Sequence, residues 1–253
     1  MLRQIKRLVK AGLATVGYEI SSVRGLQLPS ADPLADADGW IQDIAPAPCT
    51  MTSPDRVAAL CLAIEYVSRR KISGDIVECG VWKGGSSMAA AWSLLRNNDT
   101  SRTLHLFDTF EGMSAPTEPD RQRDGKPAAE ILAAHDMNSY FWAYSPLSEV
   151  KLNLDLTGYP AEKIRFIQGK VEDTIPAASP EKIAVLRLDT DWYESTKHEL
   201  ENLYPLLSDG GVLIIDDYGY WQGARRAVDE YFTDRQPILL NRIDQEGRIV
   251  VKA

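Results

Sequence analysis

The sequence has few of the residues that ligate soft metals. Its three cysteines, Cys49, Cys61 and Cys79, show no CxxC spacing, and its three histidines, His105, His135 and His198, form no HExxH. That scarcity argues against a zinc site or a disulfide framework, suits a reducing cytoplasm, and leaves any metal to oxygen ligands. No apolar run approaches about 18 residues, so no membrane-spanning helix is expected. Positive charge is also short: Lys and Arg number 28 against 36 Asp and Glu, a net charge of -8. Nucleic-acid binders need clustered cations to neutralise phosphates, so no nucleic-acid partner is expected and a small-molecule or glycan substrate fits better.

The N-terminus runs against this acidic balance. MLRQIKRLVKAGLATVGYEI is basic, with Leu2, Ile5, Leu8, Val9 and Leu13 near helical spacing. Two readings stand for residues 1–20: a terminal helix packed on the domain or on a partner subunit of a homo-oligomer, or an interfacial helix lying on the anionic inner face of the membrane. No apolar core of signal-peptide length follows. The Ala-, Asp- and Pro-rich stretch 21–54 reads as an irregular arm, which gives an N-terminal segment over 1–50 and a main domain over 51–253.

Within that domain strand and helix signals alternate. Ser53 or Asp55 can cap a helix starting near Pro54, and strands are expected at 75–79, 103–107, 164–167, 183–188 and 211–215, with helices between them. A hairpin is expected from 238–243 and 248–251. The alternation implies an α/β fold with a doubly wound, mainly parallel sheet closed by an antiparallel pair. The stretch from Glu111 to about Pro160 is long and irregular, and its aromatics favour a lid over the substrate.

In such a fold ligands bind beyond the carboxyl ends of the strands. The first strand ends in Glu78 and opens a glycine turn with Gly80, Gly84, Gly85 and Ser86, which is not GxGxxG and so disfavours a pyrophosphate. Glu78 is placed to accept from an ammonium and Asp108, after the second strand, from ribose hydroxyls. Together they fit S-adenosylmethionine. Beyond the third strand Gly169 leads to Glu172 and Asp173, which either meet the adenine amino group or, for Asp173, cap a turn before Pro176.

Two further strands end in pairs of acids: Asp189 and Asp191, then Asp216 and Asp217. Residues two apart on an extended strand face the same way, so Asp189 and Asp191 can point together. The adjacent Asp216 and Asp217 reach one ion only if the chain turns there. Converging carboxylates raise one another's pKa unless a cation sits among them, and carboxylates suit Mg2+, with Mn2+ or Ca2+ as alternatives. Against this, Asp191 and Asp217 each stand where they can cap a helix.

The segments ECGVWKGG (78–85), LFDTFEGM (106–113), AVLRLDTDWYEST (184–196) and LSDGGVLIIDDY (207–218) resemble the TylF/MycF-like macrocin O-methyltransferase family of sugar methyltransferases. The resemblance covers roughly Thr50 to the C-terminus. It implies a class I, Rossmann-like methyltransferase fold with a seven-stranded sheet, an S-adenosylmethionine donor and a magnesium ion. It also implies metal ligation by Asp189, Asp216 and Asp217, a general base at Asp191, catalytic roles centred on Asp191 and Asp189, and closure over the donor by a segment containing Met51 and Thr52. The acceptor expected is a sugar hydroxyl on a glycosylated natural product or on a glycan or glycolipid precursor. The alternatives are a nucleotide-cofactor oxidoreductase and a non-catalytic glycan-binding or scaffold subunit with splayed acids.

Overall fold

In the computed structural model residues 49–253 are described, and the expectations for the basic helix and most of the arm lie outside the described residues. Strands β1 (Asp75–Cys79), β2 (Leu104–Asp108), β3 (Ile164–Gln168), β4 (Ile183–Leu188), β5 (Leu207–Ile215), β6 (Asn241–Arg242) and β7 (Arg248–Val251) form one sheet. Its order is β3-β2-β1-β4-β5-β7-β6. The first five strands pair in parallel and β5, β7 and β6 pair antiparallel, as the alternation and the terminal hairpin predict. The strand order reverses between β1 and β4, where the two chain directions leave a crevice beyond the strand ends.

Burial explains why the central strands read as near-continuous apolar runs. Every residue of β4 is buried, because helices cover both faces of a parallel sheet. Alternate residues go to opposite faces: Ile76, Val185 and Ile214 pack with Leu60, Ile64 and Leu94, from α1 (Pro54–Arg69) and α2 (Gly85–Arg96). Val77, Leu186 and Leu213 pack with Leu200 and Val228, from α6 (Tyr193–Leu203) and α7 (Gln222–Thr233).

The insertion is more ordered than its sequence suggests. It holds α3 (Ala128–Ala133), a 3-10 turn at Tyr140–Trp142 and α4 (Leu147–Asp155), followed after β3 by the short α5 (Val171–Thr174). Strand β5 starts four residues before the expected Gly211, in the stretch where Gly210 and Gly211 exchange backbone hydrogen bonds with Lys252 at 2.8 Å each. Among the described residues no helix is long and apolar enough to cross a membrane.

Helix α1 begins as its sequence dictates, with Pro54 in its first turn and Ser53 accepting from the Arg56 amide at 3.3 Å. Ser53→Ala is expected to lower stability by about 1 kcal/mol in urea denaturation, the usual cost of losing such a cap.

Candidate active site

The two-residue period of the strands sets the electrostatics of the crevice. It places Glu78 of β1, Arg187 of β4 and Asp216, just beyond β5, on the face covered by α1 and α2, with Glu78 and Arg187 directly paired in register. The buried Arg187 guanidinium donates to Glu78 at 2.7 Å, Asp189 at 2.7 Å and Asp216 at 2.6 Å. Burial alone would lower the Arg187 pKa, and the carboxylates Asp189, Asp216 and Glu78 raise it well above its ordinary value. Arg56 of α1 is a second such cation, paired with Asp216, with Asp244 at 3.0 Å and with Glu246 at 3.0 Å.

One residue further on, Asp217 leaves that face. Asp189, Asp191 and Asp217 each offer a carboxylate oxygen within 4.8 Å of the others. Asp191 reaches this position through a left-handed backbone, φ 71°, and not along an extended strand. A non-glycine residue held there is strained, a feature that clusters at functional sites. Burial, with Asp189 and Asp216 adding repulsion, pushes Asp191 up to about 7. Burial and neighbouring acids likewise push Asp189 and Asp217 well above the usual carboxylate range. Seven carboxylates, Glu78, Asp189, Asp191, Asp216, Asp217, Asp244 and Glu246, thus cluster around two guanidinium groups. The excess acid and its oxygen-only donors fit a hard divalent cation.

Beside the acids lies a cavity of about 300 Å³, lined by Met51, Thr52, Gly80, Ser86, Asp108, Gly169 and Glu172 among the residues expected to hold a donor molecule. Gly80 has φ 84°, and a Cβ there would lie 2.0 Å from the Asp189 carbonyl oxygen, so only glycine lets β1 and β4 approach. Asp108 accepts from the amides of Val81 (2.6 Å), Trp82 (3.0 Å) and Phe110 (2.7 Å), which binds the glycine turn to β2.

Several expected site residues stand elsewhere. Glu78 does not line the cavity: it is 4 % exposed and turned to Arg187 and the Ser87 hydroxyl, where it balances a buried cation. Gly84 faces Leu154 and Val150 and serves the turn and helix packing. Asp173 is exposed on α5, outside the cavity that Glu172 lines. Asp216 does not join the trio, because Arg187, Arg56 and the Thr52 hydroxyl (3.1 Å) already occupy its oxygens. Asp191 and Asp217 cap no helix through their side chains, the capping positions being Trp192 and Trp221.

Sequence reasoning passed over Arg187 and, at the cavity, Arg56, Tyr220 and Trp221, while Tyr140 and Phe141, which line it too, belong to the aromatics of the insertion read as a lid. Arg187 had a signal, a lone charge inside a run of buried apolar strand residues. Arg56 had none, since its acidic partners are 160 to 190 residues away.

Comparison with known proteins decides the family. The sequence profile described as Macrocin-O-methyltransferase (TylF) matches residues 29–251. The chain belongs to that family. This TylF-family chain is an S-adenosylmethionine-dependent O-methyltransferase, which removes the oxidoreductase and scaffold readings. It is 37% identical over 203 residues to the 8-demethyl-8-(2,3-dimethoxy-alpha-L-rhamnosyl)-tetracenomycin-C 4'-O-methyltransferase of Streptomyces olivaceus, covering 80% of this chain and 73% of that one. It is 34% identical over 200 residues to the mycinamicin III 3''-O-methyltransferase of Micromonospora griseorubida, covering 78% and 76%. The solved O-methyltransferase NovP superposes with a TM-score of 0.68 at 35% identity, covering 81% of this chain and 82% of that one.

The titration of Asp191 has a sign that can be measured. Its proton is held more tightly folded than unfolded, so without divalent cations its contribution to stability is lost as pH rises from about 4 through about 7. The melting temperature of the cation-free protein should therefore fall across that window, and less so in Asp191→Asn. In denaturation at neutral pH, Arg187→Met should cost about 3 kcal/mol or more, because it leaves Glu78 and Asp216 buried with less counter-charge.

Proposed function

We propose that this enzyme transfers a methyl group from S-adenosylmethionine to a sugar hydroxyl, with Mg2+ held beside the donor cavity. The observation that carries the reading is the convergence of Asp189, Asp191 and Asp217 at the wall of a cavity built on the β1 glycine turn. The names of the relatives support the acceptor class, one being named for a rhamnosyl compound and another for mycinamicin III. The acceptor favoured is therefore the sugar of a glycosylated natural product. The basic N-terminus, which motivates the glycolipid alternative, lies outside the described residues.

Asp189 and Asp217 are the proposed cation ligands, with Asp216 engaged by Arg187, Arg56 and the Thr52 hydroxyl. A divalent cation supplies a lowered pKa for the acceptor hydroxyl and a fixed place for its oxygen. Asp191 takes the hydroxyl proton as the oxygen–carbon bond forms and the carbon–sulfur bond breaks, its electron pair remaining on sulfur. A carboxylate raised toward neutral pH is suited to that task. Arg187 fixes the orientation of Asp189 from behind, and the wall of Tyr140, Phe141, Tyr220 and Trp221 offers apolar faces to a sugar while excluding water.

Asp191→Asn is expected to lower kcat by about 10²-fold or more with donor affinity close to wild type, as read by transfer of labelled methyl and by calorimetry. Wild-type turnover in that variant would remove Asp191 from the base role. EDTA should abolish turnover and added Mg2+ restore it, and full activity in the chelator would sink the cation reading.

A further inference from the structure

The base does not stand on the sheet alone; the insertion holds it. Asp120, 1 % exposed, lies in the insertion ahead of α3 and accepts the Tyr193 amide on Oδ1 at 2.7 Å. Its Oδ2 accepts the Thr117 amide at 2.6 Å and the Thr117 hydroxyl at 2.8 Å. Tyr193 opens α6, whose capping residue Trp192 offers no side-chain acceptor. A helix start leaves amides unpaired, and here a carboxylate 73 residues away serves one of them. Trp192 is held by the same insertion, its Nε1 donating to the Ser114 carbonyl at 3.0 Å. These two residues directly follow Asp191, and Ser114 lines the cavity.

The space around the Asp120 carboxylate is tight. Gly223, in the first turn of α7, packs so close that a Cβ on it would lie 2.0 Å from Asp120 Oδ1 and 3.1 Å from the Tyr193 nitrogen. The backbone on both sides of Asp120 is anchored as well, its amide donating to the Thr117 carbonyl at 3.1 Å, its carbonyl accepting from Ala128 N at 2.8 Å and the Arg121 carbonyl accepting from Gln222 N at 2.8 Å.

We propose that Asp120 is a positioning residue, which from the insertion locks the Asp191–Trp192–Tyr193 turn so that the cavity wall at Ser114 and the base are held as one rigid unit. This rests on the reading of Asp191 as the base. The donor cavity is built largely on other elements, the glycine turn after β1 and Asp108 after β2, so the lock governs the chemical step and not donor binding.

Kinetics and calorimetry on Asp120→Ala, Asp120→Asn and Gly223→Ala test the proposal in full-length protein. Asp120→Ala should lower kcat by about 100-fold, the cost of misplacing a reacting group by about an ångström. Donor affinity should stay within about twofold of wild type, since uniform loss of structure would move both together. Asp120→Asn keeps the Oδ1 acceptor for Tyr193 and should recover most of the lost kcat. Gly223→Ala, which displaces the carboxylate from the opposite side, should reproduce the kcat loss and decides the matter should Asp120→Ala fail to fold. Wild-type kcat in Gly223→Ala, or a parallel fall of kcat and donor affinity in the variants, would overturn the lock while leaving the function intact. Absence of turnover in the wild type on every sugar acceptor would overturn the reading on which it rests, and the lock with it.

Discussion

A single guanidinium at the centre of the sheet, that of Arg187, makes the crevice possible. It stands on β4 between β1 and β5 and bonds one carboxylate from the end of each of the three strands. Without it Glu78, Asp189 and Asp216 would share one face with Arg56 and the hydroxyls of Ser87 and Thr52 to oppose them. A buried charge pays for its desolvation only when its partners are close and well aligned, and here they are. At the strand tips Asp191 and Asp217 stand beside these pairs, their carboxyls pushed upward by burial and by neighbouring acids, where the proposed cation would sit.

The same charges tie together parts of the chain that are distant in sequence. Asp216 gathers Arg56 of α1 and Thr52 of the segment before it, while Arg56 reaches on to Asp244 and Glu246 ahead of β7. The cavity wall at Thr52, the first helix and the terminal hairpin are therefore joined through one ion pair, Asp216 with Arg56. On the other face the insertion grips the start of α6 through Asp120 and Ser114. The acids proposed to carry the reaction are thus framed from both sides of the sheet, which is how a rigid site is held at the ends of otherwise independent strands.

The sheet was legible in the sequence because its central strands are buried apolar runs ended by acids and separated by helical patterns. The convergence of Asp189 and Asp191 was legible too, though for the wrong reason: a left-handed turn at Asp191 brings them together, and strand alternation does not. Alternation acts instead on the next pair, sending Asp216 toward α1 and leaving only Asp217 with the trio. The partner of Glu78 was not legible because nothing in its own segment announces Arg187, 109 residues later. Asp120 was invisible for the same reason, since a carboxylate that serves a distant amide leaves no local pattern. Sequence periodicity reports which face a residue takes; it does not report which charge waits there.

The central claim is that the acids carry an excess of charge that a divalent cation neutralises. Titration of the protein with Mn2+ followed by electron paramagnetic resonance tests it without turnover. One bound ion per chain is expected, with affinity that rises with pH as Asp191 loses its proton and falls steeply in Asp217→Asn. No bound ion in the wild type, or binding unchanged in Asp217→Asn, would contradict the account.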